Sequence, residues 1–357
     1  MALEYKTLKP FTFILQWHIT AKCDLHCKHC YMYDEPTYIS ELENPLSYED
    51  CIKVIDDYSH MLNFWKIRGR INFTGGDPLL RKDFFDILKY TKEKGIQIGI
   101  LGNPYHINYA TAKKLKELGI FRYQISIDGL EKTHDYLRRP GSFKDSIRAL
   151  RILHKVGIQT AVMFTVSRLN ANELLDVIRL VSKEGVTVFA FSRLAPAGSG
   201  KNLKNLILTP SEYRKLLFEV LEEYKKIEEN GTKTHFARKD HLWVPLYQEI
   251  GLLKPLPKNK KIIFGGCGIG VHLMVILANG LVYACRRFPS PIGKVPEQKL
   301  MDIFLYSKEL NKYRKISNFL KCSKCELVQL CRGCPSVAYG VTGNCFAPDP
   351  QCWKKVD

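Results

Sequence analysis

Three cysteines within eight residues, Cys23, Cys27 and Cys30, stand directly behind the apolar run 11–19. The spacing C-x3-C-x2-C puts three thiols at the end of a strand, so whatever fold surrounds them must enclose an incomplete metal site. Three thiolates can hold three irons of a [4Fe–4S] cluster and leave the fourth iron open to a substrate or cofactor, whereas four cysteines close the site. Zinc is the competing reading. It takes four ligands, commonly in paired C-x2-C spacing, and His26 or His29 would have to supply the fourth.

From residue 11 to about 194, β-rich runs alternate with amphipathic segments of helix length. Strands are expected at 11–19, 70–73, 97–101, 122–127, 159–166 and 186–192. Ser47 with Asp50 reads as a capping box opening a helix with Ile52, Ile55, Ser59 and Leu62 on one face. Gly95, Gly119, Gly157 and Gly185 each follow a helical segment, where a left-handed cap costs glycine little. Repeated β-α order with short connections implies a parallel sheet, as a partial barrel or an open doubly wound sheet. In either, chemistry belongs at the carboxyl ends of the strands. The unusual residues fall there: the cysteine loop, then Gly75-Gly76-Asp77-Pro78, Leu101-Gly102-Asn103, Ser126-Ile-Asp128-Gly129 and the loop from Arg193 to Gly200.

This arrangement resembles the radical S-adenosylmethionine (SAM) enzymes, whose signature is C-x3-C-x-aromatic-C; His29 holds the aromatic position and Tyr31 follows. The resemblance implies an α/β fold, a partial (β/α)6 TIM-like barrel with the cluster loop after its first strand. It also implies a [4Fe–4S] cluster on Cys23, Cys27 and Cys30 whose open iron chelates SAM, and reductive cleavage of SAM to a 5′-deoxyadenosyl radical. On the same ground Gly75, Gly76 and Asp77 stand where a G-G-E-P motif meets the methionine amino group, the shorter Asp77 leaving that contact to backbone groups. Asn103 would approach the sulfonium or ribose, and Ser126 the carboxylate or ribose. Asp128 would shape its turn or bind ribose, Arg139 would reach the SAM carboxylate, and Tyr31 joins the cofactor-binding set.

A helix capped by Thr209 and Glu212 and an irregular stretch with a basic run at 258–261 lead to a second constellation: Cys267, Cys285, Cys322, Cys325, Cys331, Cys334, Cys345 and Cys352. His241 and Trp243, in that stretch, read as packing residues, with a place facing a substrate as the alternative. The cysteine pattern resembles the SPASM module, a small Cys-rich domain holding two auxiliary iron–sulfur clusters. The resemblance assigns Cys322, Cys325, Cys331 and Cys352 to the distal cluster and Cys267, Cys285 and Cys334 to the proximal one. Cys331 and Cys334 are two residues apart instead of three, and Cys345 is additional. Cys345 either completes the proximal cluster or leaves it with an open iron. A zinc ribbon is the alternative for Cys322 to Cys334 taken alone. Cys51 stands apart from all of these and reads as a small buried hydrophobe. Three domains are expected: the barrel over 1–208, a helix and bridge over 209–266, and the SPASM domain over 267–357.

No apolar run reaches the eighteen or so residues of a membrane span and no signal peptide is evident. Short-spaced cysteines then mean metal in a reducing compartment, and a cytoplasmic location is expected. The formal charge of +18 is partly offset by about 4 or 5 negative charges if three clusters are bound. What remains fits a solvated Lys-rich surface or an acidic partner such as ferredoxin or flavodoxin, and the mixed-charge helix faces argue against nucleic acid. SPASM enzymes mostly modify peptides and proteins. The segment from Tyr283 to Lys294 resembles maturases of ribosomally made peptides, so hydrogen abstraction from a peptide substrate is the expected activity, giving a thioether or carbon–carbon crosslink, an epimer or an oxidised residue. Only ten residues precede the first strand, which would leave a leader to be held by a separate protein, by the basic bridge, or not at all. Tetrapyrrole or cofactor biosynthesis is the second reading, and a zinc-bearing nucleic-acid-binding protein the non-enzymatic one.

Overall fold

A computed structural model describes residues 12–33, 35–253 and 263–356. Phe11, expected in the first strand, and the basic run at 258–261 lie outside the described residues. The strands are β1 (Thr12–Thr20), β2 (Arg68–Gly75), β3 (Gln97–Leu101), β4 (Arg122–Ser126), β5 (Gln159–Val166), β6 (Val188–Arg193), β7 (His235–Ala237), β8 (Leu273–Ile276), β9 (Leu281–Tyr283) and β10 (Pro291–Lys294). They form one sheet in the order β10-β9-β8-β1-β2-β3-β4-β5-β6-β7. Every pairing from β8 round to β7 is parallel, and β9 and β10 close the other edge as antiparallel strands.

The six expected strands are therefore the middle of a longer sheet. β7 comes from the stretch expected as a bridge, and β8 comes from the cysteine-rich segment, pairing Leu15 with Met274. Both additions are three or four residues long, too short to show a period-2 pattern in sequence. Among the described residues β7 and β8 do not pair, so the barrel stays open on that side.

Strand alternation divides the side chains between a dry layer and a polar lumen. In β1, Phe13, Leu15 and Trp17 are buried under the helices, while Ile14 and Gln16 line the interior; in β2, Ile71 and Phe73 alternate with Arg70, Asn72 and Thr74. β4 repeats this with Tyr123 and Ile125 against Arg122, Gln124 and Ser126. Each large apolar side chain so buried contributes about 1.5–3 kcal/mol, and Trp17 stacks on Phe73 with ring centroids 5.8 Å apart.

The helix Tyr48–Trp65 begins where expected, with Ser47 Oγ accepting the Asp50 N–H at 3.1 Å, but Asp50 turns to Lys53 and does not complete the box. Its buried face is Cys51, Val54, Ile55, Tyr58, Met61 and Leu62, one step round from the expected Ile52–Ile55–Ser59–Leu62. Tyr58 sets this register by donating its hydroxyl to the Phe13 carbonyl across the helix–sheet interface at 2.9 Å. The helix Pro210–Glu229 does have a full capping box between Thr209 and Glu212. Trp243 packs as expected, stacked on Tyr224 and Tyr247. None of the helices among the described residues is long and apolar enough to cross a membrane.

Candidate active site

The cysteine loop follows β1 at the carboxyl end of the sheet. Cys23, Cys27 and Cys30 all line a cavity of about 590 Å³ that runs between the loop, the strand ends and the second group of cysteines. Burial pushes the Cys27 thiol up to about 12 and raises Cys23 and Cys30 as well. Thiols in such a place ionise only if a cation joins them. Donors for sulfur are in place: Asn103 Nδ2 lies 3.3 Å from Cys23 Sγ, Arg138 Nη1 3.6 Å from Cys27 Sγ, and the Met32 N–H 3.5 Å from Cys30 Sγ.

Spacing discriminates between zinc and an iron–sulfur cluster. Four thiolates on one zinc at about 2.3 Å in a tetrahedron stand roughly 3.8 Å apart. Among the described residues no three cysteine sulfurs lie within 4.8 Å of one another, and none of the twelve cysteines forms a disulfide. As they stand, the sulfurs do not surround a single tetrahedral ion.

Around this loop the strand ends converge. Gly75, Gly76, Asn103, Ser126 and Tyr31 all line the cavity. At Gly76 a Cβ would stand 2.0 Å from the Lys22 carbonyl oxygen, so only glycine lets the second strand end pack against the cysteine loop. Asp77 is fully buried. Its Oδ1 accepts the Leu79 N–H at 3.1 Å and its Oδ2 has no partner; burial raises its pKa. Beside it, Asp24 accepts from Asn103 Nδ2 at 2.8 Å and meets His106 Nε2 at 2.9 Å, and the polar atoms of Asp24, Asp77 and His106 cluster within 4.8 Å. The shortened motif carboxylate thus has a second carboxylate next to it.

Two expected contacts fall elsewhere. Asp128 has no exposure and does not line the cavity; it accepts from Arg138 Nε at 2.6 Å and the Thr165 N–H at 2.7 Å, and pairs with His29 Nε2 at 3.1 Å. Burial alone would raise its pKa, but Arg138 and His29 outweigh it and hold the carboxylate ionised. Asp128 therefore ties the cysteine loop to β4 and β5, in keeping with turn-shaping, one of its two expected parts. Arg139 binds the Asp24 carbonyl at 3.2 Å and stacks over Tyr105; the arginine on the cavity wall is its neighbour Arg138.

The later cysteines form two groups. Cys267, Cys285 and Cys334 feel one another's charge and share the cavity wall, facing the first loop. Burial and then the nearby Cys352 push Cys322 up to about 12, and Cys331 is raised by burial beside Cys322 and Cys352. Cys325 completes this set through its neighbours Cys322 and Cys352, and the Leu327 and Gly333 N–H groups point at Cys325 and Cys331 sulfur at 3.5 and 3.4 Å. Cys345 stands beside the Tyr313 hydroxyl at 3.9 Å, outside the cavity wall. Cys51 is fully buried in the core.

Basic side chains to which the sequence reading assigned no role organise this end. Arg193, 1 % exposed, donates to Asp240 at 2.8 Å and with both terminal nitrogens to Asp349 at 2.6 and 2.8 Å; Asp349 in turn accepts the Cys334 N–H at 2.9 Å. The cavity wall also carries Lys239, Arg286 and Arg287. Lys239 is exposed and lines the cavity; desolvation there and the neighbouring Arg286 and Arg287 lower it to about 7. Burial lowers His241 to about 4, so it is neutral at pH 7. Six arginines and Lys239 line the cavity against a single carboxylate, Asp240. The one signal for them was the Arg286-Arg287 pair directly after Cys285.

A partial parallel barrel with three cysteines at the end of its first strand, facing a glycine–carboxylate turn, defines a radical SAM enzyme. Residues 17–181 match the radical SAM superfamily and residues 267–335 match an iron-sulfur cluster-binding domain, SPASM. The chain belongs to the SPASM-bearing radical SAM enzymes. It is 29% identical to Fe-coproporphyrin III synthase of Methanosarcina barkeri, covering 98% of this chain and 88% of that one. It is 26% identical to an AdoMet-dependent heme synthase of Nitratidesulfovibrio vulgaris (96% and 92%), and 27% to a mycofactocin maturase of Mycolicibacterium smegmatis (95% and 82%). The fold is shared with native anSMEcpe with bound AdoMet, TM-score 0.72 over 96% of this chain and 94% of that one, at 18% identity. SAM, a [4Fe–4S] cluster and auxiliary iron–sulfur clusters are its cofactors.

Proposed function

We propose that this enzyme abstracts hydrogen from a carboxylate-bearing tetrapyrrole. The observation that carries the reading is the charge of the cavity: Arg70, Arg122, Lys239, Arg286 and Arg287 line it with no ion pair among the described residues. Unpaired guanidinium and ammonium groups in a confined space call for anionic oxygens, and carboxylates are their natural partners. The relatives named for haem and Fe-coproporphyrin III support the same substrate class.

Cys23, Cys27 and Cys30 would hold the SAM cluster, which with bound SAM supplies the 5′-deoxyadenosyl radical after one-electron reduction by a small acidic carrier such as ferredoxin or flavodoxin. Asp77 and Asp24 would receive the SAM ammonium, with Arg138 and Ser126 close to its carboxylate or ribose. Lys239 and Arg286 would orient substrate carboxylates between the SAM loop and the proximal cysteines. The auxiliary clusters on Cys267, Cys285 and Cys334 and on Cys322, Cys325, Cys331 and Cys352 would accept the product electron.

The test is anaerobic turnover of the reconstituted enzyme with SAM, dithionite and Fe-coproporphyrin III. Substrate-stimulated 5′-deoxyadenosine and a mass change in the tetrapyrrole are expected. A second reading, modification of a peptide, draws on the mycofactocin maturase relationship and on the Tyr283–Lys294 resemblance. It gains if 5′-deoxyadenosine rises only with a precursor peptide encoded nearby, and that result would sink the tetrapyrrole reading.

A further inference from the structure

Two of the unpaired cations lie far from every cysteine. Arg70 is the third residue of β2 and Arg122 the first of β4, so both belong to the amino-terminal floor of the barrel, whereas the cysteine loops sit at the carboxyl ends. Arg287, by contrast, already points at Cys334 sulfur at 3.7 Å, and Arg138 is balanced by Asp128. The floor arginines share one aromatic support: their guanidinium carbons lie 5.0 and 4.8 Å from the Phe121 ring centroid. Arg70 donates Nε to Gln97 at 2.6 Å, and Arg122 reaches Gln159 only at 3.5 Å. Arg122 Nε is buried with no partner. Burial depresses the pKa of both, and the charge of Arg70 adds to the effect on Arg122.

Two half-buried guanidiniums resting on one ring, one with an unpartnered Nε and neither with an ion pair among the described residues, lack a counter-charge that an anion entering the lumen would supply. The lumen above them is kept open and polar. Gln16, Asn72 and Gln124 line it, and Gly99 leaves space in mid-strand where a Cβ would stand 2.5 Å from Asn72 Oδ1. We propose that Arg70 and Arg122 form a carboxylate-binding floor, so that the substrate is gripped by anionic groups at both ends of the cavity. This rests on the tetrapyrrole reading for the identity of the substrate; the floor itself is independent of it.

The experiment uses the reconstituted holoenzyme with SAM and two probes. The first is Fe-coproporphyrin III, titrated by the shift of its visible absorption into wild type, R70Q, R122Q and R70Q/R122Q. Each single change should weaken binding about 10- to 100-fold, the range of a charge-assisted hydrogen bond, with R70K and R122K retaining part of the affinity. The tetramethyl ester should bind all forms equally poorly. Iron content and circular dichroism establish that the variants are folded. If the acid binds wild type and the double variant alike, the floor is refuted while the tetrapyrrole reading survives. If the acid fails to bind wild type, the tetrapyrrole reading falls and the second probe decides the floor. Succinate at constant ionic strength should raise the melting temperature of wild type above the chloride control, and not that of R70Q/R122Q. No carboxylate-specific shift in wild type would overturn the floor.

Discussion

Replacing Arg193 with methionine tests how the two cysteine-bearing regions are held together. The side chain is 1 % exposed and makes three charge-assisted contacts of 2.6–2.8 Å to Asp240 and Asp349, both nearly as buried. Methionine fills much of the volume but leaves two carboxylates facing each other without a cation, and breaking a buried pair from one side costs about 3–5 kcal/mol. With an unfolding entropy of about 2.1 cal/mol/K per residue over 357 residues, that corresponds to a melting temperature lower by about 4–7 °C. The pH dependence has a definite sign. Burial pushes Asp349 up, and Arg193 outweighs it to give a lowered pKa, so in wild type its contribution is complete above the unfolded value of about 3.9 and is lost only as pH falls through the lower folded value. In R193M burial is opposed only by the Cys334 and Gln351 N–H groups, so the folded pKa rises from its wild-type position and the penalty, largest at pH 8, shrinks as falling pH protonates the carboxylate. Asp349 also anchors the Cys334 N–H, and Cys352 lies three residues on; auxiliary iron should therefore be lost before SAM-cluster iron. The assay is anaerobic thermal unfolding across pH 5–8 with iron analysis. A melting temperature within 1 °C of wild type at pH 8 with roughly twelve irons retained would refute the reasoning. The triple variant R193M/D240N/D349N should recover much of the loss, because no charge is then stranded.

Cys23→Ala should remove about four irons and abolish dithionite-dependent SAM cleavage while the auxiliary clusters keep their absorption; unchanged iron would place the SAM cluster elsewhere. Cys345→Ala should retain roughly twelve irons, since its thiol rests on Tyr313 outside the cavity wall; a deficit of about four would make it the proximal cluster's fourth ligand. Asp24→Asn should weaken SAM binding about 10-fold or more by equilibrium dialysis, because the carboxylate beside Asp77 disappears; unaltered affinity would leave the ammonium to Asp77 and backbone groups.

Much of the carboxyl end of the barrel was legible because its residues are constrained twice, by strand position and by chemistry. Cys23, Gly75, Asn103 and Ser126 each follow a strand and each line the cavity. The protein contacts of Asp128 and Arg139 were not legible, for a reason sequence cannot supply. A carboxylate two residues past a strand can face the lumen or fold under it, and the partners that draw Asp128 under, His29, Thr165 and Arg138, come from three separate segments. Long side chains are harder still. Arg70, Arg122 and Lys239 look like ordinary surface cations until alternation and the sheet's curvature turn them inward. The same holds for Arg193, whose partners lie 47 and 156 residues away.

The pairing of β8 with β1 makes the cysteine-rich segment a structural part of the barrel wall. Exchanging SPASM regions between relatives is accordingly not a matter of cutting at Cys267 and joining a new tail. A graft that omits the β8 strand uncovers the edge of Ile14 to Trp17, and one that brings a foreign β8 must reproduce its parallel register to set Cys285 opposite the first cysteine loop. The span between the two cysteine groups across the cavity is set by a strand ladder, and it is inherited with that ladder.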